Sequence, residues 1–216
     1  MSEAYLQLPL VDQSQILRAL APRLGRSALV LEKDVWLCWV LQTLFSMPQR
    51  LPMAFKGGTS LSKVFNAIAR FSEDVDITLD YRGLADGCDP FAPNRSRHQL
   101  KKLSTALKAY VREHVSQQLK PYFQQQLADA FGAEHCWVTV STDGEQMRIH
   151  YPTALAAAGG YIGNSVLLEF GGRNISEPQQ MHVVQPDISV HLPALTFPWP
   201  RSAYFHRYAP SGKRRR

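Results

Sequence analysis

A pair of glycines followed sixteen residues later by two alternating aspartates constrains this chain more than any other feature. Residues 51–55 form a short apolar run that predicts a strand, and Gly57 and Gly58 follow it closely. Paired glycines let backbone N–H groups approach a polyphosphate, and the N-terminus of a following helix favours anions. Apolar residues recur at helical spacing from Leu61 to Ile68. The stretch therefore predicts a phosphate-binding turn between a strand and a helix.

The two aspartates lie in a run of alternating character. In residues 72–80, apolar side chains alternate with polar ones, which predicts a strand with one buried and one polar face. Asp74 and Asp76 therefore share a face, with Cα atoms about 6.6 Å apart at a rise of about 3.3 Å per residue. Carboxylates so placed can hold hard divalent cations for phosphoryl chemistry. The alternative is a solvated strand face without a ligand.

A third carboxylate, Glu169, lies inside an apolar β-type run, residues 164–173. An unpaired charge in such a run is costly to bury. Glu169 is therefore predicted to complete the metal site or to take the proton from an attacking hydroxyl. A structural ion pair with Arg148 or Arg173 is the alternative.

Groups around these motifs are candidates for binding the phosphates of a nucleotide. A guanidinium can bind phosphate oxygens in a bidentate way, and an ammonium acts as a point charge. The alternative for each of these cationic side chains is a surface or structural role. The predicted phosphate-binding set comprises Lys56, Gly57, Gly58, Thr59, Ser60, Lys63, Arg70 and Arg173.

The charge of the chain is basic, with a formal net charge of +6 and a pI near 9.3. Four of the positive charges lie in residues 213–216. A basic tail can favour RNA through counterion release, although a solvated end explains it as well.

Cysteine content and the N-terminus indicate a cytoplasmic protein. The three cysteines, Cys38, Cys88 and Cys136, are scattered without the spacing of a zinc site or a disulfide framework. The first residues carry an acid where a signal peptide needs bases, and no apolar run approaches the length of a membrane span.

Four segments in order resemble the AbiEii/AbiGii family, the nucleotidyltransferase-like toxins of bacterial abortive-infection (phage-defence) and type IV toxin–antitoxin systems. They are residues 32–41, 55–63, 70–76 and 166–173, so the resemblance covers residues 29–178. It implies a polymerase-β-like core that uses a nucleoside triphosphate with Mg²⁺ or Mn²⁺ to modify an RNA, with tRNA as the expected acceptor. A cognate antitoxin encoded in the same operon is also implied.

The end of the chain departs from the family pattern. Family members continue into a helical half with a basic motif similar to Thr-Phe-Trp-Glu-Lys, and no such motif is found here. A C-terminal truncation, a frameshifted end or a divergent short form is therefore expected, with activity weaker than that of a full-length relative or lost. Two alternatives to an active enzyme are a remnant that binds nucleotide or antitoxin without turnover and an RNA-binding module without a nucleotide site.

These patterns together predict an α/β (α+β) fold, with a small mixed sheet, helices on one face and helical appendages. Residues 1–178 are predicted to form the nucleotidyltransferase-like domain and residues 179–216 an irregular, proline-rich, basic tail. Helices are predicted over residues 11–24, 27–45 and 96–119, with a shorter one after Pro121. A hairpin is predicted around residues 143–144.

Overall fold

A computed structural model of the chain describes residues 3–57, 63, 74–80, 96–155, 164–173, 179–198 and 203–206. Its described α-helices are α1 (Leu10–Leu24), α2 (Ala28–Phe45), α3 (Arg97–His114) and α4 (Lys120–Phe131). Its described strands are β1 (Glu3–Ala4), β2 (Met53–Lys56), β3 (Asp74–Asp80), β4 (Trp137–Val140), β5 (Gln146–His150), β6 (Ser165–Arg173), β7 (Gln179–His182), β8 (Leu195–Thr196) and β9 (Ala203–His206).

Side-chain caps explain where two of the helices begin. The Ser27 hydroxyl accepts a hydrogen bond from the Val30 N–H at 3.3 Å at the start of α2. At the start of α3, Ser96 and Gln99 form a reciprocal capping box. A π-helical turn, Val115–Leu119, joins α3 to α4, and Pro121 lies in the first turn of α4, where its missing N–H is tolerated. None of the described helices combines the length and apolar character needed to cross a membrane.

The main sheet of the described residues has seven strands in the order β4-β5-β6-β3-β2-β9-β7. It is mixed, because β3 runs antiparallel to β2 and parallel to β6. Strands β1 and β8 form a separate parallel pair. The predicted α/β fold with a mixed sheet is confirmed.

The apolar face of β3 belongs to the main core. Val75, Ile77 and Leu79 are fully buried in one cluster with most of the apolar residues of α2. The Trp36 ring of α2 stacks on Tyr151 with centroids 4.8 Å apart. Because side chains alternate along a strand, this burial directs Asp74 and Asp76 to the opposite face of the sheet.

The prediction that residues 179–216 form an irregular tail is wrong for three segments, the strands β7, β8 and β9. Strands β7 and β9 pair antiparallel with each other, and β9 pairs parallel with β2, so both belong to the main sheet. The prolines of this region lie outside these strands, so the backbone N–H groups of the strands remain able to pair.

Candidate active site

Four polar side chains from four neighbouring strands lie in one row across the sheet. Asp76 on β3 is in register with Lys56 on β2 and with Glu169 on β6. Glu169 is in turn in register with Gln146 on β5. Directly opposed residues on neighbouring strands project from the same face. The carboxylate row, as we name these four residues, therefore brings together two carboxylates predicted from distant segments.

The carboxylate row opens into a cavity of about 480 Å³. Helix α3 covers part of this face of the sheet and forms the opposite wall, which is mostly apolar. The residues lining the cavity are Lys56, Asp76, Leu100, Leu103, Ser104, Leu107, Lys108, Val111, Asp143, Glu145, Gln146, Glu169, Phe170 and Gly171. At Gly171 an added Cβ would meet no atom within 4 Å, so this glycine leaves space in the cavity.

Gly57, which directly follows β2, lies against the Asp76 carboxylate. Its φ is +79°, a value that side-chain-bearing residues rarely adopt. A Cβ at Gly57 would lie 1.9 Å from Asp76 Oδ2. Glycine is therefore required here both by the backbone conformation and by the close approach of the carboxylate.

We expect Gly57→Ala to lower the free energy of unfolding by about 1–3 kcal/mol, the usual cost of a strained backbone. We also expect it to weaken nucleotide binding, because the new methyl group displaces Asp76. Urea denaturation and nucleotide titration measure the two effects. Gly132→Ala is the matched control, since Gly132 has φ +82° and no atom within 4 Å of an added Cβ. Equal nucleotide affinity in both variants would contradict the contact with Asp76.

A hydrogen bond orients Glu169. Gln146 Nε2 donates to Glu169 Oε1 at 2.8 Å. The alternative partner Arg148 lies opposite Leu167 on β6, two positions along from this pair. Sequence reasoning missed Gln146, because its relation to Glu169 depends on the register between two strands. Its only sequence signal is its place two residues after the predicted hairpin turn at residues 143–144.

Asp74 is exposed at the start of β3 and lies outside the cavity lining, although the strand period places it on the same face as Asp76. Within the described ranges, no three His, Cys, Asp or Glu residues form a metal-binding group. The cavity itself contains the neighbouring carboxylates of Asp76 and Glu169. Two carboxylates fit Mg²⁺, which commonly takes one or two from the protein and the rest of its ligands from phosphates and water.

Lys63 lies in a buried ionic cluster away from the carboxylate row. Its ammonium pairs with Asp34 on α2 and with Asp187, the latter at 2.7 Å, and donates to the Gln185 carbonyl at 3.3 Å. Burial lowers the pKa of Lys63, but the two carboxylates outweigh burial and raise it above its ordinary value. The side chain is 9% exposed. These contacts give Lys63 a structural role in the ionic cluster, and its phosphate contact stays a prediction.

The remaining predicted residues are placed only in part. Arg173 ends β6 opposite Asp80. The predicted phosphate-binding residues Gly58, Thr59, Ser60 and Arg70 lie outside the described residues, as does most of the helix predicted after the glycine pair.

Comparison with known families agrees with the motifs. A family model described as the nucleotidyl transferase AbiEii toxin, type IV toxin–antitoxin system, matches residues 39–200, well over half of the chain. The matched range contains all four members of the carboxylate row. No match was found among curated proteins. The chain belongs to the AbiEii family of nucleotidyl transferase toxins.

Proposed function

We propose that this protein transfers a nucleotidyl group from a nucleoside triphosphate to an RNA, with Mg²⁺ or Mn²⁺ and with tRNA as the acceptor. It would act as the toxin of a pair whose antitoxin is encoded in the same operon. The observation that carries the proposal is the carboxylate row at the cavity, where Asp76 and Glu169 lie between Lys56 and Gln146. Family membership supports the reaction class.

The carboxylates are assigned to the divalent cation. Asp76 is the central ligand, with Asp74 on the same strand face and Glu169 on the neighbouring strand as its companions. Such a cation, when bound, neutralises the triphosphate and the charge that develops on the leaving group. Without it, the adjacent carboxylates would repel each other.

The basic side chains and the glycine segment are assigned to bind the triphosphate. Lys56 lines the cavity next to Asp76 and can neutralise a phosphate oxygen. Gly57 lies against Asp76, and we assign the backbone N–H groups of residues 57–60 to bind phosphate. Arg70 and Arg173 are proposed as further phosphate ligands.

The reaction forms one bond and breaks one. An RNA hydroxyl oxygen attacks the α-phosphorus, the bond from that phosphorus to the bridging oxygen breaks, and pyrophosphate leaves. Gln146 engages Glu169 Oε1, and we assign Oε2 to accept the proton of the hydroxyl. Catalysis then rests on positioning and on electrostatic stabilisation, without a protein nucleophile.

Labelled nucleotides test the proposal. The purified protein is incubated with total tRNA and each of the four nucleoside triphosphates, labelled in parallel at the α- or the γ-phosphate. We expect label from the α-phosphate to enter RNA and label from the γ-phosphate to leave as pyrophosphate. Nucleotide binding without transfer to RNA would support a non-catalytic protein. Transfer of the γ-label would indicate a kinase and contradict the proposal.

A further inference from the structure

The face that carries the carboxylate row extends beyond the cavity along β5. Gln146, Arg148 and His150 alternate with buried residues and so share one face of this strand. Gln146 lines the cavity, whereas Arg148 is exposed. At about 3.3 Å per residue, His150 lies about 13 Å along the strand from Gln146. This part of the sheet is therefore a surface leading away from the carboxylates.

An aromatic pair lies at the far end of this surface. Trp137 on the edge strand β4 is in register with His150, and their rings stack with centroids 4.6 Å apart and an interplanar angle of 9°. Trp137 is 49% exposed, which is high for so large an apolar side chain. Thr139 Oγ1 lies 3.3 Å from His150 Nε2 and helps to fix the imidazole.

The His150 ring is suited to stacking more than to ion pairing. Burial, and secondarily the nearby Arg148 guanidinium, lower the pKa of His150 below its ordinary value. The imidazole is therefore mostly neutral at neutral pH. The exposed Arg148 then supplies the positive charge of this surface.

The exposed surface of helix α3 is also basic, although the part of α3 that lines the cavity is mostly apolar. Helix α3 contains one acidic residue, Glu113, and five basic ones: Arg97, Lys101, Lys102, Lys108 and Arg112. All five basic side chains are exposed, and Lys108 also pairs with Glu145 at 3.0 Å. A polyanion that approaches the cavity along this surface would therefore meet positive charge from Arg148 and from the exposed surface of α3.

We propose that Trp137 and His150 form a stacking platform for an unpaired base of the acceptor RNA, with Arg148 binding an adjacent phosphate. The inference rests on the proposed function, because the platform supplies the path by which an RNA strand reaches the carboxylate row. Aromatic stacking tolerates any base, since every base has a π-face, and a basic groove follows the backbone. Unpaired RNA fits this surface better than a duplex does, because a base must be free to stack.

Binding of a fluorescein-labelled single-stranded RNA of mixed sequence, followed by anisotropy without nucleotide, tests the platform. We expect Trp137→Ala to weaken binding about tenfold or more, the scale of one lost stacked base. Trp137→Phe should keep most of the affinity, and Arg148→Ala should reduce the salt slope by about 1. Leu10→Ala, an exposed apolar residue on α1, is the control. Circular dichroism checks the fold of each variant.

Unchanged RNA affinity in folded Trp137→Ala would overturn the proposal. If that variant fails to fold, normal RNA affinity and salt slope in Arg148→Ala would overturn it. Loss of antitoxin binding in Trp137→Ala, with RNA binding unchanged, would assign the surface to a protein partner and would also overturn the proposal. Titration with the four nucleoside triphosphates distinguishes failure of the stacking platform from failure of the proposed function. RNA binding that depends on Trp137 in a protein with no nucleotide affinity would support the platform and contradict the proposed reaction.

Discussion

Asp76→Asn should abolish transfer of α-label to RNA while the protein remains folded. The substitution removes one full charge at nearly constant volume from the centre of the carboxylate row. We expect turnover to fall about 1,000-fold or more, because the cation stabilises the charge of the transition state by several kcal/mol and a loss of about 4 kcal/mol corresponds to this factor. Initial rates of α-label transfer at saturating nucleotide measure the loss.

Two further variants make this result specific. Asp12→Asn changes an exposed aspartate in the first turn of α1 and should leave turnover unchanged. Glu169→Gln removes the adjacent charge and should also reduce turnover strongly. Turnover in Asp76→Asn within tenfold of wild type would contradict the role assigned to the row.

Lys63→Met should destabilise the protein by about 3–5 kcal/mol, the cost of leaving a buried charge without its partner. The variant leaves the Asp34 carboxylate, whose side chain is 1% exposed, without its ammonium partner. Because the pKa of Lys63 is raised, its stabilising contribution is complete below its ordinary pKa of about 10.4 and is lost as pH rises through the folded value. Urea denaturation at pH 7 therefore measures the whole effect.

A neighbouring ion pair supplies the control for this prediction. Arg26 pairs with Asp187 at 2.7 Å, but both side chains are partly exposed, so Arg26→Met should cost less than about 1 kcal/mol. The double variant Lys63→Met, Asp34→Leu should recover much of the loss, because an apolar pair can replace a buried ion pair. Equal stability of Lys63→Met and Arg26→Met would contradict the structural role of Lys63. If nucleotide affinity were lost only in Lys63→Met, the result would support the predicted phosphate contact of Lys63.

Local patterns were sufficient to predict β3 and the helix starts. The alternation of buried and polar residues in β3 is a property of consecutive residues, so it predicts which face carries Asp74 and Asp76. The starts of α2 and α3 follow from the Ser27 and Ser96 caps, which act within three residues.

Relations between distant segments were not predictable in the same way. The register of β3 with β6 places Glu169 beside Asp76, and nothing in either segment alone specifies it. The ion pairs of Lys63 with Asp34 and Asp187 were likewise not predicted, because these partners are distant in sequence. Strands β7 and β9 are four residues each, and their pairing in the sheet outweighs their weak local signal.

Calorimetric titration of Mn²⁺ into the protein saturated with a non-hydrolysable nucleoside triphosphate tests the central claim most directly. The claim is that Asp76 and Glu169 on neighbouring strands form the cation and nucleotide centre. We expect wild type and Asp12→Asn to bind Mn²⁺ with the same affinity, and Asp76→Asn and Glu169→Gln to bind it at least about tenfold more weakly, a difference of about 1.4 kcal/mol. Equal Mn²⁺ affinity in all four proteins would contradict the claim.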